Sequence, residues 1–298
     1  MEIGPPDVCL AKSAVLALLQ ELEAYPKPGL VSRKDSGAHA DMDRDLMCRS
    51  ANALQRPFAS IAAAGREGGP FELSLVPLGL AAEREMLRAT GGINTHRGAI
   101  FTLGMILAAM ARAESISRPT VPAGIRSVLL ETWGEALRAH AAAEVSGPSH
   151  GALVRQSTGA GGARAEAARG VPGIFETGAP VYSKALASWL HPAAARIQTL
   201  FALMESAEDS NVIYRGGTEA ADFVRRSAAE FLAAGGCYSE GWLPRAEELH
   251  RIFIQRNLSP GGCDDLLAGT ILAGTILVAG GYESQKVETD RKFPVRPR

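Results

Sequence analysis

A chain of 298 residues is long enough for one large domain or two small ones, with a substantial core. Hydrophobic residues make up 46% and charged residues 21%, the balance of an ordinary globular protein. Lys plus Arg (31) nearly cancels Asp plus Glu (32); a formal net charge of -1 argues against a broad electrostatic footprint for nucleic acid or an anionic membrane, though not against a local basic pocket.

Aromatic residues are only 6%, while alanine and leucine abound, which favours helix over strand. The start, Met1 to Asp7, carries acid and proline rather than a basic and then apolar run, so no signal peptide is expected. The most apolar stretch, Leu266 to Gly281, falls short of the roughly 20 residues of a membrane span and reads as a buried helix. Cys9, Cys48, Cys237 and Cys263 are scattered without metal-ligand spacing, so free thiols in a reducing cytoplasm are expected.

In chain order, Val8 to Ala24 sets Leu10, Ala14, Leu18 and Leu22 on one stripe and stops before Pro26 and Pro28. A polar loop runs to about Asp43. Helical patterns then cover 44–65, 72–90, 95–113, 121–144, 193–208, 218–234, 241–256 and 264–279, separated by Gly-rich breaks. The expectation is one all-α domain over 1–298, with polar loops between buried helices and a frayed charged tail at 283–298.

Five clusters carry unusual residues. The loop from Pro26 to Asp43 holds Lys27, Arg33, Lys34, His39, Asp35, Asp41 and Asp43. Cations there could meet phosphate oxygens and carboxylates could hold Mg2+; alternatively the loop is solvated, with Asp43 capping the next helix. The second, Thr90-Gly91-Gly92-Ile93-Asn94-Thr95-His96-Arg97-Gly98-Ala99, opens an apolar helix. Cations in a first turn oppose the helix dipole, which suggests an anionic partner for His96 and Arg97, while a plain cap by Asn94 or Thr95 is the bland reading. Upstream, Glu83 is a metal-ligand candidate and Glu85 reads as solvated. The third, Gly159 to Gly170, is a glycine loop with Arg164 and Glu166, but no strand precedes it, so the dinucleotide fingerprint fails. The fourth, Glu208-Asp209-Ser210-Asn211 to Arg215, reads as two acids at a helix C-terminus, against the dipole and calling for a cation or Arg215. The fifth, Ser259 to Leu267, places Asp264 and Asp265 in a first turn, where capping alone could account for them.

Taken in this order, Pro26-Lys27-Pro28-Gly29-Leu30-Val31-Ser32, Gly37-Ala38-His39 with Asp41-Met42-Asp43, Thr90 to Phe101, and Leu258-Ser259-Pro260-Gly261-Gly262 resemble the triphosphoribosyl-dephospho-CoA synthases, over about residues 10–280. The resemblance implies an enzyme that joins ATP to 3′-dephospho-CoA with release of adenine, making a prosthetic-group precursor for an acyl carrier protein that a holo-transferase later loads. The first motif and His96-Arg97-Gly98 look more like the malonate decarboxylase branch than the citrate lyase branch. Three positions depart from the pattern: Glu208-Asp209-Ser210-Asn211 for Asp-Asp-Thr-Asn, Val171 for Phe before Pro172, and Cys263-Asp264 for Ser-Ala, which makes Asp265 the matching acid.

Such a glycosyl transfer needs a carboxylate to take the attacking hydroxyl's proton and to stabilise an oxocarbenium-like state. The expected catalytic residues are Asp209, Glu166 and Asp41. The expected substrate contacts are Lys27, Arg33, His39, Asn94, His96, Arg97, Arg164, Asn211 and Arg215. Mg2+ is expected as cofactor on Asp43, Glu83, Asp209 and Asp265. No nucleic-acid or membrane partner is expected, and self-association is left open. Two rival readings are a Mg2+-dependent N-glycosidase and a non-catalytic helical assembly factor for a carrier protein.

Overall fold

The computed structural model describes residues 2–143 and 161–274, and among these it contains helices and no strand. The elements are α1 (Pro5–Leu22), α2 (Arg44–Ala53), α3 (Gln55–Glu67), α4 (Phe71–Ala89), α5 (Arg97–Ser115), α6 (Pro122–Ala142) and α7 (Gly162–Ala168). A π turn (Gly173–Gly178) leads into α8 (Ala179–Ala187), followed by α9 (Pro192–Ser206), α10 (Ser210–Ala233), a 3-10 turn (Gly236–Tyr238) and α11 (Trp242–Gln255). The last helix, α12, covers 261–274. The expected end of that helix near 279, the tail at 283–298 and the start of the third cluster lie outside the described residues.

Local chemistry sets most of these boundaries. Prolines open α1, α6 and α9 in the first turn, where a missing N–H is no loss. Asp43 caps α2 by accepting from Leu46 N–H at 2.8 Å.

Three expectations change. The single helix read over 44–65 breaks at Leu54, a fully buried residue whose N–H reaches Ala51 O rather than the carbonyl four back. That tighter turn redirects the chain without exposing the leucine. The helix expected from 218 begins at Ser210 and passes through a kink at Gly217, whose φ of 72° only glycine adopts readily. The π turn and α8 carry glycine and proline and show no clean period; packing against α9 holds them in helix despite weak propensity.

The core surrounds α5. Ala99, Ile100 and Leu103 and the whole run from Met105 to Ala111 are buried along its length. Its closest neighbour is α3, which meets it at Gly65, where a Cβ would fall on the backbone of Ala108. Among the described residues α5 is also the one helix long and apolar enough to cross a membrane, yet 72% of that stretch is buried inside the protein. It is a core helix in this fold. The four cysteines are free thiols.

Candidate active site

Three long helices start at one place. Arg97 and Gly98 of α5, Ser210 and Asn211 of α10, and Gly262 and Asp265 of α12 all line a single cavity of about 870 Å³. The first turn of each helix carries the positive end of the dipole, so the three together favour negative charge, part of which the protein supplies itself through Asp209 and Asp265. Arg164, Glu166 and Arg169 of α7 and Glu83 of α4 complete the charged lining.

Two buried acids tie the helix starts together. Asp209 is not at a helix C-terminus, as its sequence context suggests, but at the N-cap of α10, because Ala207 ends α9 in extended geometry. Its Oδ1 accepts from Asn211 N–H at 2.9 Å and Val212 N–H at 3.3 Å, and its Oδ2 from Cys263 N–H at 2.9 Å in the first turn of α12. No cation or Arg215 is needed to offset it there. Burial pushes its carboxyl up, against those three donors. Asp265 projects into the cavity from α12 and takes a backbone hydrogen bond from Ala99 of α5. Gly98 leaves it room, since a Cβ there would collide with Asp265 Oδ2. Burial, then the neighbouring charges of Asp264 and Asp209, hold the Asp265 carboxyl well above the usual carboxylate range.

The second, third, fourth and fifth clusters thus converge. Asn94 Oδ1 accepts from Arg97 N–H at 3.2 Å, and Arg97 Nε donates to Glu83 Oε2 at 3.0 Å. Glu83 is therefore an arginine partner on the wall. Glu166 accepts from Gly173 N–H and pairs with Arg169 at 2.8 Å, three residues on, rather than with Arg164. Glu208 accepts from Gly161 N–H at 3.1 Å.

The first cluster is not part of this lining. Lys27 is completely buried, paired with Glu21 and, at 3.1 Å, with Asp264. Burial lowers its pKa, opposed by the Asp264 charge. An ammonium enclosed in this way joins α1 to α12 and presents nothing to a phosphate. Arg33 lies in a separate shallow pocket with Tyr25, Lys34 and Arg44. His39 is hydrogen-bonded to Ser259 Oγ at 2.8 Å and to Arg215, which also donates to Ala38 O and Asn257 O. Those contacts pin the loop to the α11–α12 connection. Asp41 is exposed beside His39, 3.7 Å away, and Asp43 is the α2 cap. His96 is buried, 2.7 Å from Ser50 Oγ, and burial followed by the Lys27 charge lowers its pKa to about 4. Enclosure of this kind favours the neutral imidazole, and His96 is not in the cavity lining, where the expected cationic phosphate contact would need it.

Among the described residues no group of three His, Cys, Asp or Glu side chains is gathered to hold a metal. The four expected ligands are committed separately: Asp43 and Asp209 to helix caps, Glu83 to Arg97, and Asp265 to the cavity. They do not form a cage.

Sequence reasoning missed His140, which reaches the cavity from the last turn of α6 and stacks on Phe101 at 6.0 Å between centroids. Nothing marked it out, because a lone histidine on an amphipathic helix carries no local signal.

Among the described residues the fold is helical, and arginines and a buried carboxylate surround a cavity built on helix starts, an arrangement suited to anionic ligands. The family model described as ATP:dephospho-CoA triphosphoribosyl transferase matches residues 8–284, and the chain belongs to that family. A relative from Azotobacter vinelandii is 38% identical over 265 residues, covering 88% of this chain and 89% of its own length. One from Pseudomonas aeruginosa strain UCBPP-PA14 is 38% identical over 282 residues, covering 92% and 93%. One from Acinetobacter calcoaceticus is 35% identical over 255 residues, covering 86% of each. Each is described as a probable 2-(5''-triphosphoribosyl)-3'-dephosphocoenzyme-A synthase. No solved structure matches the chain.

Proposed function

We propose that this enzyme joins ATP to 3′-dephospho-CoA, giving 2′-(5″-triphosphoribosyl)-3′-dephospho-CoA and adenine. The observation that carries the reading is the Asp265 carboxylate, set in the cavity among three helix starts and raised in basicity by its surroundings. In this scheme Asp265 takes the proton from the attacking ribose hydroxyl of dephospho-CoA. The oxygen forms a bond to C1 of the ATP ribose as the bond to the adenine nitrogen breaks; adenine leaves protonated from solvent, and Asp265 returns the hydroxyl proton to solvent, so no net proton is consumed. The carboxylate of Glu166 on the same lining favours the positive charge that develops on the sugar. Arg97, Arg164 and Arg169 and the starts of α5, α10 and α12 would hold the triphosphate, which survives the reaction and acts as a handle. Asn94 and Asn211 present amide groups beside it. Lys27, Arg33, His39, His96 and Arg215 are assigned no substrate contact, and Asp41 and Asp209 no catalytic one.

Mg2+ enters this scheme as the counter-ion of the triphosphate rather than as a resident of a protein-built cage. The product would serve the acyl carrier protein of malonate decarboxylase, a reading supported by the Pro26 to Ser32 motif, and the work would take place in the cytoplasm.

Incubation with ATP, Mg2+ and dephospho-CoA, followed by mass spectrometry, tests the reaction. Adenine and the triphosphoribosylated product should appear together and only when the acceptor is present. Adenine released without acceptor would replace the transferase by the N-glycosidase, and no adenine at all would leave the assembly-factor reading. Transfer to purified apo carrier proteins of the two decarboxylase and lyase systems, with the holo-transferase of each, decides the branch.

A further inference from the structure

The cavity has two unlike walls. The charged one comes from α7 and the starts of α10 and α12. The other comes from the α4–α5 hairpin, and beyond the Glu83–Arg97 pair at its connecting end it is mainly apolar: Leu75, Val76, Gly79 and Leu80 from α4, with Phe101, Thr102 and Met105 from α5. At about 1.5 Å per residue, the stretch from Glu83 back to Leu75 is about 12 Å long. It does not close off at the surface. Leu80 is 50% exposed and Leu73, two turns back on the same face, is 80% exposed, with Pro77 exposed between them. A continuous apolar strip therefore runs from the charged centre out along α4. Gly79 stands in the middle of it, in ordinary helical geometry, and a Cβ added there would meet nothing within 4 Å.

Of the groups that two nucleotide substrates bring, the triphosphate and diphosphate require the charged wall. A base is compact and calls for an enclosed slot, with His140 on Phe101 and Thr102 as the polar side chains on this side of the cavity. The α4 strip is instead long and open at its outer end, where the amides and hydroxyl of a chain keep water as partner. An elongated uncharged chain, anchored at a diphosphate and running outward, has the chemistry of this wall. We propose that the α4–α5 wall, with Gly79 at its centre, receives the pantetheine arm of dephospho-CoA and so selects it over shorter acceptors. The proposal rests on the transferase reading above.

The test uses the Gly79→Leu variant, which fills the strip with a side chain that a helix accepts readily, so that folding is preserved. Wild type, the variant and a Leu16→Ala control on the exposed face of α1 are compared with dephospho-CoA and with ADP, which is the same acceptor without the arm. Product formation is followed by mass spectrometry, and circular dichroism confirms that each chain is folded. Wild type and the control should prefer dephospho-CoA by at least tenfold in kcat/KM. Gly79→Leu should lower kcat/KM for dephospho-CoA at least tenfold, with the KM for ATP held, so that the preference collapses. A raised KM for ATP with dephospho-CoA unaffected would assign the wall to the donor's base and overturn the proposal. Equal use of the two acceptors by wild type would overturn it as well. If wild type transfers to neither acceptor, the transferase reading fails on its own; calorimetric binding of dephospho-CoA and ADP then decides the wall, equal affinities sinking it.

Discussion

Asp265 and Asp209 are both buried carboxylates at helix starts, yet they should answer the same substitution in opposite ways. Asp265 accepts one backbone N–H, from Ala99, and an asparagine oxygen can still do so. Its folded pKa is raised, so the fold binds the proton more tightly than the unfolded chain does. The charged form therefore destabilises at pH values above the ordinary carboxylate range, and removing the charge relieves that. Asp265→Asn is expected to cut adenine release by about 10²–10⁴-fold, the range for a lost general base, while the thermal midpoint holds or rises. A lowered midpoint with full activity would reduce Asp265 to a link between α12 and α5. Asp209 uses both oxygens on three N–H donors across two helices. An amide there turns its NH2 toward a donor and leaves a buried N–H unpaired, at a cost of about 1–3 kcal/mol. Asp209→Asn should lower the midpoint measurably, and an unchanged midpoint with lost turnover would return Asp209 to the chemistry.

Among the elements, the α3–α5 crossing sets the geometry on which the cavity is built. Gly65 lets α3 approach α5 to backbone contact at Ala108, and α5 carries Arg97 and Gly98 to the cavity at its other end. Gly65→Val has no flexible side chain to displace, since the atoms it meets include Ala108 Cα and O. Overpacking of this kind typically costs about 1–3 kcal/mol, and more where backbone must move. Chemical denaturation should show that loss, with turnover reduced as α5 shifts. Wild-type stability in this variant would mean that the two helices separate freely and that their crossing does not position the site.

For the whole molecule, acid stability depends on buried histidine as well as carboxylate. His96 has a folded pKa of about 4, below its ordinary value, so the fold excludes a proton that the unfolded chain accepts. Its contribution is complete above the unfolded value near 6.5 and is lost as pH falls toward 4, by up to about 1.4 kcal/mol per unit. Asp209 and Asp265 act in the opposite sense, easing as pH falls. Unfolding free energies at pH 7 and pH 5 should therefore show a decline that flattens in His96→Gln. A variant with the wild-type slope would show that another group governs the acid limit.

Helix class, the rough position of most helices and the residues of the clusters were legible in the sequence, because apolar period, proline and glycine act locally. The motifs also pointed to the family, and four of the five clusters line the cavity. What remained hidden depends on distance in space. Lys27, with a phosphate-like context in its loop, is enclosed by Glu21 and by Asp264 from the far end of the chain. His96, adjacent to Arg97, turns inward onto Ser50 while Arg97 faces the cavity. Asp209 looked like a misplaced helix end until α10 was seen to begin at Ser210 and α12 to donate from Cys263. A spacing pattern specifies which residues are polar and which face of a helix they share. Whether a charge meets solvent, a substrate or another buried charge is decided by helices brought together from distant parts of the chain, since desolvation and pairing depend on what surrounds the group in three dimensions.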